Sequence, residues 1–180
     1  MGANGLAEKD LSLAVSEQVL QALDDRGFTA VLTRIADYRM TLASRVAIAV
    51  ALAPEAFISV HHNGDPNGHS DQPGAETFYQ AESSDSRRLG GLIYEGALGV
   101  FSQWPETSWH ANVDAGVEPR LNDQGEDFFG VLRLTGEVTT VMSEGLFLWG
   151  SWGGGASSPS GGPRSRGWCN SRWCRAFPSN

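Results

Sequence analysis

The chain has 180 residues, enough for one domain with a hydrophobic core and too few for two domains of ordinary size. Its hydrophobic fraction of 41% and charged fraction of 19% are typical of a soluble globular protein, and no apolar run is long enough to span a bilayer. Nine basic and 21 acidic residues precede Trp149, a net charge of −12. This acidity argues against a nucleic-acid partner, because phosphate binding depends on Lys and Arg. The opening MGANGLAEKD contains no secretory signal.

The first third of the chain predicts alternating helices and strands. Apolar residues at three- and four-residue spacings in GLAEKDLSLAVSEQVLQALDDRG predict an amphipathic helix that ends at Gly27. The short β-branched run FTAVLT, residues 28–33, predicts a buried strand. Residues 41–53 predict a second helix, and EAFISVH predicts a second strand. This order indicates an α/β domain with a largely parallel sheet.

The pattern continues beyond a polar loop. NGDPNGHSDQPG predicts that loop, AETFYQ a strand and SSDSRRLGGLIYEGALGVF a helix, whereas residues 102–130 form a long irregular stretch. VLRLTG and EVTTVMSEGLF then predict a last apolar strand that ends at Ser143 and Glu144. In open parallel sheets, chemistry takes place beyond the carboxyl ends of strands. His61 and Glu144 both occupy such ends.

The composition changes abruptly at Trp149. Residues 149–180 are rich in Gly, Ser, Pro, Arg and Trp and contain no acid, which predicts a disordered low-complexity tail. We interpret the change as a shift of reading frame near Leu148, with a natural flexible tail as the alternative. Cys169 and Cys174 have a C-x4-C spacing that is not a usual zinc pattern, so a disulfide or two free thiols is expected.

Three residues are candidates for a catalytic centre. A catalytic zinc ion usually takes three protein ligands, and His61, at the end of a strand, is placed to be one; a structural histidine is the common alternative. Glu8 lies in the first turn of a helix, where a solvated carboxylate is equally ordinary. Glu144 is a carboxylate among apolar neighbours, an environment that raises a pKa and suits a general base.

The combination of blocks resembles a known family. The chain is similar, over residues 5–148, to the zinc-dependent N-acetylmuramoyl-L-alanine amidases of the amidase_3 type. The resemblance is carried, in order, by GLAEKDLSLAVSEQVLQAL, FTAVLTR, LASRVAIA, FISVHHNG, GAETFYQ, FFGVLR and VTTVMSEGLFL. It implies a three-layer fold with a largely parallel twisted sheet flanked by helices, and an amidase domain over residues 1–148.

The resemblance also implies roles for individual residues. Glu8 and His61 match two zinc ligands, and Glu144 matches the catalytic base. His62 and Asn63 are expected to line the pocket and to bind substrate. The implied reaction is hydrolysis of the bond between N-acetylmuramic acid and the L-alanine of peptidoglycan, outside the cytoplasm, by a monomer without a membrane span. The loop over residues 104–122 is expected to help to form the substrate groove.

Two blocks of the family are expected beyond the matching region. The family has a strand running into a DPGHGG-like turn, whose histidine is the third zinc ligand, and this block is expected before Gly5. The family's last block is FLSN-like, and the sequence matches it only as far as Phe147 and Leu148. The sheet is therefore expected to be incomplete at both ends. His69 and His110 are interpreted as exposed polar residues rather than replacement ligands.

The expected ligand set of Glu8 and His61 leaves other functions open. His62 does not extend this set if it follows strand alternation, because neighbouring strand residues face opposite sides of a sheet. An inactive amidase-like remnant, or a cell-wall-binding module without zinc, is the main alternative. A different zinc exopeptidase on a similar sheet is a further alternative.

Overall fold

The computed structural model describes residues 7–63, 75–103 and 116–145. Several sequence predictions therefore lie outside the described residues: the loop of residues 64–74 with His69, the groove residues 104–115 with His110, and the tail of residues 149–180 with both cysteines. None of the helices in the described ranges has the length and apolar character that a bilayer crossing requires.

Within the described ranges, four strands form one mixed sheet in the order β1-β4-β2-β3. Their bounds are Phe57–His61 for β1, Glu76–Tyr79 for β2, Val117–Glu118 for β3 and Thr140–Glu144 for β4. The β1–β4 and β2–β3 pairs are parallel, and the β2–β4 pair is antiparallel. The predicted α/β class is confirmed, with two of the three strand pairs parallel.

The helices begin and end at recognisable local signals. Their bounds are Glu8–Asp24 for α1, Leu42–Leu52 for α2, Ser84–Phe101 for α3 and Gly130–Leu134 for α4. The hydroxyl of Thr41 caps α2 by accepting the Ser44 N–H at 3.1 Å, and Ser83 caps α3 in the same way. The chain leaves α1 through Gly27, whose φ of +79° lies in the left-handed region that glycine favours.

Helices cover both faces of the sheet. On one face α3 approaches so closely that a Cβ added at Gly90 would lie 3.3 Å from Cγ2 of Thr77. Phe78 points to the opposite face, since successive strand residues alternate. There it joins Met142 and α4 residue Leu132 in the hydrophobic core, with Val131, Phe57 and Phe129 packed around them. This arrangement gives the three layers expected from the resemblance.

A buried polar cluster joins the far ends of the central strands. Gln80 Oε1 accepts hydrogen bonds from Ser86 Oγ at 2.6 Å and from the Thr140 N–H at 2.9 Å. Its Nε2 donates to the carbonyl oxygens of Leu132 and Gly136, both at 3.1 Å. One side chain thus connects β2, α3, β4 and the end of α4, and it fixes the alignment of the strands that carry the candidate site.

Two predicted elements differ from the structure. Residues 28–33 do not form a strand, and Phe28 and Val31 are 61% and 62% exposed. A strand needs a neighbouring ladder to satisfy its backbone, and β1 pairs only with β4 within the described ranges. VLRLTG is also not part of a strand, because residues Gly130–Leu134 form α4 and the last strand begins at Thr140. The stretch predicted as irregular contains β3.

Candidate active site

One residue from each of three strands forms a row across the sheet. His61 of β1 is the register partner of Glu144 of β4, and Glu144 is the register partner of Glu76 of β2. Directly paired residues of neighbouring strands project to the same face of a sheet. The three side chains therefore start from adjacent points, on the face that also carries Phe78 and Met142.

Helix α1 brings Glu8 to this row. Glu8 is the first residue of α1, and its Oε1 lies 2.8 Å from Nδ1 of His61. The same oxygen accepts the backbone N–H of His62 at 3.4 Å. The hydrogen bond to His61 lowers the pKa of the Glu8 carboxyl, and the same bond raises the pKa of His61. Glu8 is therefore held as a carboxylate against the imidazole.

Glu144 is the most enclosed ionisable group of the row. It is 8% exposed, and its Oε2 is buried without a hydrogen-bond partner among the described residues. Burial raises the pKa of Glu144 to about 7; the charge of His61 opposes the rise, and the carboxylates of Glu8 and Glu76 add to it. A carboxyl group with a pKa near neutrality can both take up and release a proton at physiological pH.

His62 lies beside the row, against α1. Its Nδ1 is 3.4 Å from Oγ of Ser12, which follows Glu8 by one helical turn. A Cβ added at Gly145 would lie 3.8 Å from its Nε2. Burial lowers the pKa of His62, so the imidazole is neutral at physiological pH. The ring thus contacts Ser12, while the backbone of His62, rather than its ring, donates to Glu8.

Asn63 contacts Glu76, which is the register partner of Glu144. Its Nδ2 donates a hydrogen bond of 2.7 Å to Oε2 of Glu76. Asn63 follows the end of β1, and Glu76 begins β2, so the bond joins two strands that are not neighbours. The structure therefore places all five residues predicted for the site in one region, with Glu76 added to them.

Glu8 and His61 supply the donor types that zinc accepts, a carboxylate oxygen and an imidazole nitrogen. Oε1 of Glu8 and Nδ1 of His61 are 2.8 Å apart, and His61 is the register partner of Glu144, whose Oε2 has no hydrogen-bond partner among the described residues. The described residues contain no group of three His, Cys, Asp or Glu side chains placed to hold a metal ion. The pair fits zinc as two of its ligands, and a third is not among the residues that the structure describes.

The sequence did not single out Glu76 and Ser12. Glu76 is the second residue of a predicted strand, and its relation to Glu144 depends on an antiparallel register that no local pattern reveals. Ser12 could have been found from its spacing, because a residue four positions after Glu8 lies on the same side of a helix.

Comparisons with known proteins identify the family of the chain. A family model described as N-acetylmuramoyl-L-alanine amidase, Amidase_3, matches residues 1–148. The protein YqiI of Bacillus subtilis (strain 168) is 43% identical over 88 residues, which are 48% of this chain and 41% of that protein. The endolysin of Bacillus phage SPP1 is 37% identical over 149 residues, 81% of this chain and 49% of that protein. The chain thus covers less than half the length of each of these two relatives.

A solved structure extends the similarity to the fold. It is the catalytic domain of CwlV, an N-acetylmuramoyl-L-alanine amidase from Bacillus (Paenibacillus) polymyxa var. colistinus. The two chains are 26% identical and superpose with a TM-score of 0.63, covering 83% of this chain and 73% of that one.

Proposed function

Because the chain belongs to the N-acetylmuramoyl-L-alanine amidase family Amidase_3, we propose that it hydrolyses the amide bond between N-acetylmuramic acid and the L-alanine of the peptidoglycan stem. The observation that carries this proposal is the buried Glu144 carboxyl, with a pKa of about 7 and an unpartnered oxygen, in one row with the Glu8–His61 pair. A base, two metal-ligand types and a partly enclosed position support metal-assisted amide hydrolysis.

The proposed roles are those that the family resemblance implies, and the distances in the site support them. Glu8 and His61 would hold zinc, which lowers the pKa of water and polarises a carbonyl group when it is bound. Glu144 takes a proton from the attacking water and passes it to the departing amine, a transfer for which its raised pKa suits it. His62 lines the pocket as a neutral ring, and Asn63 contacts the substrate.

We also propose the setting of this activity. The substrate places the protein outside the cytoplasm, and a monomer suffices because all the proposed site residues belong to one chain. The amidase domain would occupy residues 1–148, and residues 149–180 would form a separate low-complexity tail.

The test is cleavage of a defined N-acetylmuramoyl-L-alanyl peptide by the purified chain with added zinc, read as release of the L-alanine amine by mass spectrometry. We expect turnover by the unaltered chain and at least about a 100-fold loss in Glu144→Gln, because general acid–base catalysis contributes at least that factor. Glu118→Gln is the matched control, since it removes one carboxylate from the exposed position of β3. Retained activity in Glu144→Gln would remove Glu144 from the role of base.

A cell-wall-binding module without catalysis is the second candidate. It is favoured by the two-residue ligand set, because the described ranges contain no cluster of three metal-binding side chains. Two ligands hold zinc weakly, so we expect less than one zinc ion per chain by metal analysis of the purified protein. Co-sedimentation with insoluble peptidoglycan without release of amine would support the binding module. Tight equimolar zinc with amine release would favour the enzyme and require a third ligand outside the described ranges.

A further inference from the structure

The hydrogen bond between Asn63 and Glu76 joins the segment that follows β1 to the first residue of β2. Strands in a sheet lie about 4.8 Å apart, so β1 and β2, on either side of β4, are about 10 Å apart. The side chains of Asn63 and Glu76 meet at 2.7 Å, and Glu76 is the register partner of Glu144 in β4. The Asn63 amide is therefore bonded to the residue that pairs with the proposed base.

The chemistry of the two groups determines which way the amide faces. An asparagine side chain has one end that donates hydrogen bonds and one that accepts them, and it can rotate to present either. An ionised carboxylate only accepts. Glu76 therefore selects the orientation in which Nδ2 of Asn63 faces β2, as the structure has it, and Oδ1 faces away.

We propose that Glu76 is a positioning residue that turns the side-chain carbonyl oxygen of Asn63 toward the bound substrate, where it accepts a hydrogen bond from a peptide N–H. This inference rests on the proposed function, because it assumes that Asn63 contacts the peptide stem. The opposite orientation would set the Asn63 amino group against a substrate N–H, and two donors do not form a hydrogen bond.

The plain structural alternative is that the bond only joins the two ends of the segment between β1 and β2. Glu76→Gln separates the two roles. Glutamine can still bond to Asn63, by accepting from Nδ2 or by donating to Oδ1, so the connection and the thermal stability are retained. The selection of one orientation is lost, however. We expect KM to rise about twofold, because only about half of the molecules then hold the orientation that binds substrate, with a smaller change in kcat.

A double variant restores a single orientation by exchanging the donor and the acceptor between positions 63 and 76. In the double variant Asn63→Asp with Glu76→Gln, the new carboxylate can only accept, so the new amide donates to it and its second oxygen faces the substrate. We expect KM to return to the value of the unaltered chain, because a single orientation is again selected. Asn63→Asp alone sets two carboxylates against each other and should bind substrate worst. Glu118→Gln, on β3, is the matched charge control and should leave KM unchanged.

The measurement pairs KM with the dissociation constant of a fluorescent N-acetylmuramoyl peptide, so that it does not depend on turnover alone. Equal KM and equal dissociation constants for the unaltered chain and Glu76→Gln would overturn the positioning role and leave the proposed function standing. Binding without cleavage by the unaltered chain would overturn the proposed function, and the dissociation constants would then decide the role of Glu76. Absence of both binding and cleavage would overturn both.

Discussion

Replacing Glu144 by glutamine removes a group whose ionisation opposes folding near neutral pH. Burial raises the pKa of Glu144 from its usual 4.5 to about 7. The stability that this carboxyl contributes is therefore fully present below the unfolded pKa and is lost as the pH rises through the folded one. Each pKa unit corresponds to about 1.4 kcal/mol. Relative to Glu144→Gln, we expect the unaltered metal-free protein to lose about 3 kcal/mol of unfolding free energy between about pH 4 and pH 8.

The assay is urea unfolding followed by circular dichroism, in buffers that contain a chelator. His61 also loses stabilisation as the pH rises, because the Glu8 hydrogen bond raises its pKa and the charge of Glu144 adds to the rise. The difference between the two proteins therefore reports Glu144 together with its interaction with His61. Glu118→Gln, at the exposed position of β3, is the control and should follow the unaltered protein at every pH. Unfolding free energies of the unaltered protein and Glu144→Gln that stay parallel across this range would refute the reasoning, since Glu144 would then not be buried as the neutral acid.

Three further predictions concern the scaffold. Gln80→Leu should lower the unfolding free energy by about 3 kcal/mol in urea titrations, because it leaves several buried hydrogen-bonding groups without partners. The control is Gln18→Leu, on the exposed side of α1, which should change the unfolding free energy by less than about 0.5 kcal/mol. Leu132→Ala should cost about 2–5 kcal/mol in the same measurement, because Leu132 is 1% exposed in the core. Phe28→Ser should change stability by less than about 0.5 kcal/mol, since Phe28 is 61% exposed; a larger loss would show that residues 28–33 are packed after all.

Local sequence patterns account for most of the elements. The helix over Ser84–Phe101 and the strand over Phe57–His61 were both predicted from the pattern of their own residues. The prediction failed where an element depends on a distant partner. Residues 28–33 have the composition of a strand, yet composition supplies no neighbour to accept their backbone hydrogen bonds.

The residues of the candidate site also divide into those that the sequence predicted and those that only the structure revealed. Glu8 and His61, 53 positions apart, were predicted to meet through the family resemblance, and the structure places their side chains in contact. Nothing in AETFYQ marks Glu76, because its position beside Glu144 is set by the antiparallel register of β2 against β4. Side chains that act through long-range pairing of the backbone leave no local signal in a sequence.

The row of His61, Glu144 and Glu76 has a consequence for how the site tolerates change. Its spacing is set by main-chain hydrogen bonds between strands, which do not depend on the identity of the flanking side chains. Apolar positions such as Phe57, at the other end of β1, can exchange for other apolar residues without altering the distances between the three groups. Substitutions around the site therefore leave the spacing of His61, Glu144 and Glu76 unchanged as long as the hydrogen bonds between the strands are retained.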